Sequence, residues 1–108
     1  MTPRVRIVPD TNQKYVLVRI HDGTEEYDLL WGDPDAEWHN DIVEAVRATG
    51  VRIRVVYGGG RIEQRTDKKA IYAWDRSTRY GSADAAIVEA VLTEAYPDHT
   101  LHMGAKPL

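Results

Sequence analysis

The run Tyr15-Val16-Leu17-Val18-Arg19-Ile20 constrains the fold more than any other stretch of the chain. It is rich in β-branched residues and carries a single charge, which predicts a central strand of a sheet. Further strands lie on either side of it. Arg4-Val5-Arg6-Ile7-Val8 alternates polar and apolar residues until Pro9 stops it, which predicts a short strand. His21-Asp22-Gly23 is a turn signal, so residues 25–31 read as the second arm of a hairpin. Residues 51–57 alternate strictly, with Val51, Ile53 and Val55 on one face and Arg52, Arg54 and Val56 on the other. Beyond Gly58-Gly59-Gly60, residues 61–65 and 69–74 are strand candidates around a turn at Thr66-Asp67-Lys68. Residues 100–103 predict a last short strand, and residues 103–108 a mobile tail beginning at its end.

Two segments have helical spacing instead. Gly32-Asp33-Pro34-Asp35 breaks the strand pattern, and Pro34 suits a first helical position with Asp33 as cap. Trp38, Ile42, Ala45, Val46 and Thr49 then recur at helical intervals, and Gly50 suits a C-cap. These features predict a helix over about 35–49, or a shorter one capped by Asn40. Ser82 can cap a second helix, whose faces are marked by Ala83, Ile87, Ala90, Val91 and Glu94 and which Tyr96-Pro97 ends. Helices do not alternate regularly with strands, so a doubly wound fold is not expected. The expected class is α+β: a single domain over 1–108, with a sheet of about six strands, mixed and largely antiparallel, and two helices packed on it.

Composition narrows the function. A chain of 108 residues has room for one core. It contains no Phe, so Val, Ile, Leu and Ala must build most of that core, with three Trp and six Tyr supplying the aromatic area. Cysteine is absent, which excludes a disulfide scaffold, a thiolate zinc site and a cysteine-nucleophile phosphatase. The opening Met1-Thr2-Pro3-Arg4 shows no apolar signal core, and no run approaches a membrane span, so the expected location is the cytoplasm. A net charge of −3 argues against nucleic acid as partner, and any anion site must be local. Nothing suggests an extended interface, and a monomer is expected.

Several residues can carry chemistry. His39, in Glu37-Trp38-His39-Asn40-Asp41-Ile42, lies near the start of the first helix, where free backbone N–H groups and a partial positive charge favour phosphate. A histidine there is either a nucleophile or general base facing an anion, or an ordinary surface residue. Gly58-Gly59-Gly60-Arg61 allows close backbone approach to a ligand, with an arginine able to grip phosphate through two hydrogen bonds. Alternatively it is a flexible hairpin turn. It is not a P-loop, since Gly-Lys-Ser/Thr is missing. Lys14 precedes the central strand, and the polar segment Arg76-Ser77-Thr78-Arg79-Tyr80-Gly81 leads into the second helix. His99 and His102 are three apart in a strand-like segment, hence on opposite faces and poor joint metal ligands. No cluster of carboxylates and histidines indicates a metal cofactor.

These features occur in an order that resembles the Janus group of phosphohistidine phosphatases. Lys14-Tyr15-Val16-Leu17-Val18-Arg19-Ile20-His21, Ala36-Glu37-Trp38-His39-Asn40-Asp41-Ile42 and Gly58-Gly59-Gly60-Arg61-Ile62 are similar to its conserved segments. Lys68-Lys69, Ser77, Tyr80-Gly81 and Tyr96-Pro97-Asp98 follow in family order, so the likeness runs from Val8-Pro9-Asp10 to Leu101. The resemblance implies that His39 is catalytic and that Lys14 and Arg61 hold phosphate. It also implies help from the backbone at His39 and Asn40 and from the Ser77-Thr78-Arg79 loop. The implied reaction is hydrolysis of a phosphorus–nitrogen bond, in phosphohistidine-containing proteins or small phosphoramidates, with no metal and no cofactor. The rivals are a broader phosphoamidase acting on phospholysine or phosphoramidate, a non-catalytic phospho-residue binding module, and a regulatory protein on the same scaffold. Two departures from the family stand out: Trp31 replaces an arginine before Gly32, and the stretch 69–77 is one residue longer.

Overall fold

The strand built on Tyr15 to Ile20 lies inside the sheet, as its composition requires. The computed structural model describes residues 4–108. Its elements are β1 (Val5–Arg6), β2 (Gln13–Asp22), β3 (Glu25–Asp33), α1 (His39–Ala48), β4 (Arg52–Arg65), β5 (Ala70–Trp74), α2 (Ala85–Ala95) and β6 (Thr100–Met103). The sheet has six strands in the order β1-β3-β2-β4-β5-β6. The inner pairs are antiparallel, and the outer pairs β1–β3 and β5–β6 are parallel. The expected mixed, largely antiparallel α+β sheet with two helices is what the chain forms.

The pleat of β2 divides the core into two layers. Val16, Val18 and Ile20 point to one face, where Ile42, Val43 and Val46 of α1 cover them with Tyr27 and Leu29. Tyr15 and Leu17 point to the other, where Val88, Val91 and Leu92 of α2 join Leu30, Ile62 and Ile71. The two helices therefore pack on opposite faces. Burial of these aliphatic side chains, each worth about 1.5–3 kcal/mol, is the main force holding the layers together. No helix among the described residues is long and apolar enough to cross a membrane.

Several sequence-based boundaries shift, each for a local reason. β1 stops at Arg6 rather than Val8, because Gln13 takes both backbone groups of Val8: its Oε1 accepts from the Val8 N–H at 3.0 Å and its Nε2 donates to the Val8 carbonyl at 2.8 Å. Pro34 is not the first helical residue. Asp33 ends β3 and accepts the Asp35 N–H at 2.9 Å in a turn, and α1 begins only at His39. Its cap is Trp38, not Asn40, and the Asp41 carboxylate reaches back to the Trp38 N–H at 2.9 Å. The second helix is capped by Asp84, which accepts from the Ala86 and Ile87 amides, while Ser82 lies in a bridge to Gly59. Strict alternation fails around Arg54. There the β2–β4 register slips, so Ile53 pairs with Ile20 and Val56 with Val18 toward α1, and Val55 is left 45% exposed. Met103 belongs to β6 and pairs with Ala73, so the terminal segment without regular structure starts one residue later.

The largest correction concerns Gly58-Gly59-Gly60. These residues are not a hairpin turn. They lie within the single 14-residue strand β4, paired with Leu17, Val16 and Tyr15.

Candidate active site

Three consecutive glycines in a strand interior weaken it unless something must come close. Here something does at each position. A Cβ on Gly58, whose φ is +146°, would lie 2.5 Å from the Ser82 carbonyl oxygen. One on Gly59 would lie 2.5 Å from the Tyr15 carbonyl oxygen and 2.8 Å from Cδ2 of His39. One on Gly60 would lie 2.5 Å from the Trp74 carbonyl oxygen. The bare stretch of β4 thus seats the His39 ring on one face and the 75–82 loop along its edge. The Gly59 N–H donates to the Gly81 carbonyl at 3.1 Å, and the Ser77 and Gly81 backbones pair with each other.

Strand register sets the charges beside this depression. Lys14 is paired with Asp33 on one side and Arg61 on the other, and Arg61 with Trp74, so these four residues form one row across the sheet. Two cations directly opposite one another repel. Arg61 is held by Asn12, whose Oδ1 accepts from Nη1 at 3.1 Å, and by Asp75, 3.8 Å from Nε. Asp75 adopts a left-handed φ of +67° that side chains seldom tolerate, at the point where the chain leaves β5.

His39 is the first residue of α1, so its N–H and that of Asn40 have no acceptor within the helix. Its half-buried ring lies 3.0 Å, at Nε2, from the Gly60 carbonyl oxygen. A carbonyl can only accept, so Nε2 carries the hydrogen and Nδ1 keeps the lone pair. Burial of the ring lowers the His39 pKa below the ordinary 6.5, and the nearby charges of Lys14 and Arg61 push it the same way. The Gly60 hydrogen bond and Asp75 oppose them. A neutral imidazole is therefore favoured.

These groups share one cleft of about 550 Å³. Its lining includes Lys14, His39, Asn40, Arg61, Ser77 and Arg79, together with Trp38, Asp41, Asp75, Arg76 and Thr78. All six residues singled out from the sequence are brought together. Four cations face two carboxylates here, a local positive excess in an acidic chain. Ser77 is buried, and its Oγ accepts the Tyr80 N–H at 3.0 Å, so it shapes the loop. Asn40 accepts the Tyr80 hydroxyl at 2.7 Å through Oδ1, which ties the helix start to that loop. Arg79 is exposed over the Tyr80 ring. Trp31, the departure from the family pattern, lines other hollows under the Arg6 guanidinium and does not line this cleft. Asp75, Asn12 and Trp38 escaped sequence reasoning, because only the register of β4 with β5, that of β2 with β4, and the true start of α1 bring them to the site. Elsewhere, His99 bonds Gln64 and Asp98 while His102 stacks on Tyr72, so the two share no ligand position. No group of three His, Cys, Asp or Glu among the described residues could hold a metal ion.

A cleft with a neutral imidazole, paired cations and helix-start amides can chemically accommodate a tetrahedral anion beside a base or nucleophile. The family model described as Janus/Ocnus matches residues 1–100. The chain belongs to the Janus/Ocnus family. Among its Janus/Ocnus relatives, sex-regulated protein janus-A of Drosophila mauritiana is 35% identical over 94% of this chain and 78% of its own length. Janus-A of Drosophila pseudoobscura pseudoobscura is 37% identical over 92% of this chain and 72% of its own. The 14 kDa phosphohistidine phosphatase of Homo sapiens is 32% identical over 92% of this chain and 87% of its own.

Two predictions follow from this geometry. In an NMR titration the His39 ring should show a midpoint below 6.5, and Lys14→Met should move it upward. The lowered value also means that His39 favours the unfolded chain as pH falls from 6.5 toward its folded midpoint, because the unfolded state binds the proton first. A midpoint at or above 6.5 would contradict the burial. Gly59→Ala should displace the His39 ring and cost about 1–3 kcal/mol in chemical denaturation, the usual penalty of overpacking. An unperturbed His39 resonance in that variant would show that the close approach is not needed.

Proposed function

We propose that this chain is a phosphohistidine phosphatase that hydrolyses the P–N bond of phosphohistidine in proteins, or of small phosphoramidates, without a metal ion. The observation that carries the reading is His39: a half-buried imidazole, held neutral, with its tautomer set by the Gly60 carbonyl, in the cleft that Lys14 and Arg61 line. The name of the human relative supports the same chemistry.

Phosphoryl transfer asks chiefly for positioning and for neutralisation of the three phosphoryl oxygens. In this reading Lys14 and Arg61 take two of them, which relieves their cross-strand repulsion, and the His39 and Asn40 amides take the third. Arg79, beside the buried Ser77, adds charge at the rim. Nδ1 of His39 then acts in one of two ways. It removes a proton from a water whose oxygen bonds to phosphorus, or it bonds to phosphorus itself and yields the phosphoryl group to water later. In both, the P–N bond breaks with its electron pair passing to the departing imidazole, which takes up a proton. That leaving group departs easily once protonated, so a dedicated strong acid is unnecessary. A binding module would need the cations but not a neutral histidine, which favours catalysis.

The deciding measurement is phosphate release from a phosphohistidine peptide with chelator present. The native protein should release it and His39→Ala should not, with the same circular dichroism spectrum. Equal release by both would remove His39 from the mechanism, and loss of release on adding chelator would overturn metal independence. Arg61→Ala should lower kcat/KM by an amount equivalent to roughly 1.5–3 kcal/mol, the worth of a hydrogen bond to a charged group. Unchanged efficiency would remove Arg61 from phosphate binding.

A further inference from the structure

The Trp38 side chain belongs to neither hydrophobic core cluster, although its backbone caps α1. The other two tryptophans stand elsewhere: Trp31 lies under the Arg6 guanidinium, 4.4 Å from ring centroid to carbon, and Trp74 occupies the sheet beside Arg61. Trp38 is 63% exposed. A single exposed aromatic is ordinary on a protein surface, but the place of this one is not. It lines the cleft and immediately precedes His39. Its backbone is extended at φ −128° and ψ 150°, so the side chain stands outside the helix. The backbone is also fixed at both ends by one residue. The Asp41 carboxylate accepts the Trp38 N–H at 2.9 Å, and the Trp38 carbonyl accepts the Asp41 N–H at 3.0 Å. The result is an indole on a rigid mount at the lip of a cationic cleft.

The cleft floor is polar and charged, suited to the phosphoryl group. The group attached to that phosphoryl must project toward the lip. Among P–N compounds these groups differ sharply: phosphohistidine carries an aromatic ring that is cationic once protonated and leaves as neutral imidazole, phospholysine an aliphatic amine, and phosphoramidate only ammonia. An indole face attracts the first by stacking and by cation–π interaction, and it is the best of the aromatic side chains at the second. Phosphoramidate presents no ring for it to stack on.

We infer that Trp38 is a specificity-determining residue that receives the ring attached to the phosphoryl group, making the cleft selective for aromatic phosphoramidates over aliphatic ones. This inference rests on the phosphatase reading for its substrate, but its test does not depend on turnover. Calorimetry with phenylphosphonate and methylphosphonate compares the same anion with and without a ring. The native protein should bind phenylphosphonate roughly three- to tenfold more tightly, the range that stacking supplies. Trp38→Ala should bring the two affinities together by weakening phenylphosphonate alone, and Trp38→Phe should keep most of the preference. No preference in the native protein, a preference surviving in Trp38→Ala, or equal weakening of both probes would each overturn the assignment. In the kinetic arm, kcat/KM for phosphohistidine relative to phosphoramidate should fall by the same factor in Trp38→Ala. A ring preference lost with Trp38 in a protein that hydrolyses neither substrate would overturn the phosphatase reading and leave Trp38 as a ring-recognising residue.

Discussion

The close contact between the His39 ring and the bare backbone of Gly59 is what the rest of the site depends on. Only a strand without a Cβ at that position lets a helix start this low over the sheet. From that seat the ring reaches the Gly60 carbonyl, loses much of its solvent, and comes under the influence of Lys14 and Arg61. The neighbouring glycines perform the same service for the loop after β5, which crosses the strand edge where side chains would otherwise stand. The site is therefore a consequence of backbone packing, with side chains added where the register delivers them.

The register also explains how an acidic chain makes a positive cleft. Lys14 and Arg61 face each other because β2 and β4 pair there, and the strand ladder keeps them together despite their repulsion. Asp33, Asn12 and Asp75 stand around the pair. Such an arrangement carries an electrostatic cost when empty, and an anion between the cations would lower it. Asp75 sits within reach of Arg61 on a left-handed backbone. A carboxylate so placed moderates the charge without filling the cleft.

Much of this was legible in the sequence. The β-branched run of β2, the helix ending at Gly50 and the proline after α2 all fell where hydrophobic periodicity and helix-ending residues place them. The six candidate residues read from the sequence all line one cleft. What failed was local. The three glycines look like a turn, because sequence alone shows what a glycine permits and not what approaches it. The start of α1 moved from Asp35 to His39 because Asp33 spends its carboxylate on a turn and Asp41 closes the helix from inside. The face of Val55 was misread because the slip at Arg54 has no residue signature. Asp75 and Asn12 were invisible, since only pairing across the sheet makes them neighbours of Arg61.

The hydrogen bond from His39 to Gly60 orients the ring without a partner side chain. Its acceptor is a main-chain carbonyl, present whatever side chain stands at that position. The choice of which ring nitrogen is basic is therefore written into the topology of β4 and not into a partner residue. No single substitution can delete the acceptor; it can only move it. Homologues that kept the fold and the histidine would keep the tautomer too, even where the surrounding charges had drifted. Among the described residues no carboxylate hydrogen-bonds this histidine, and the main-chain carbonyl orients the ring in its place.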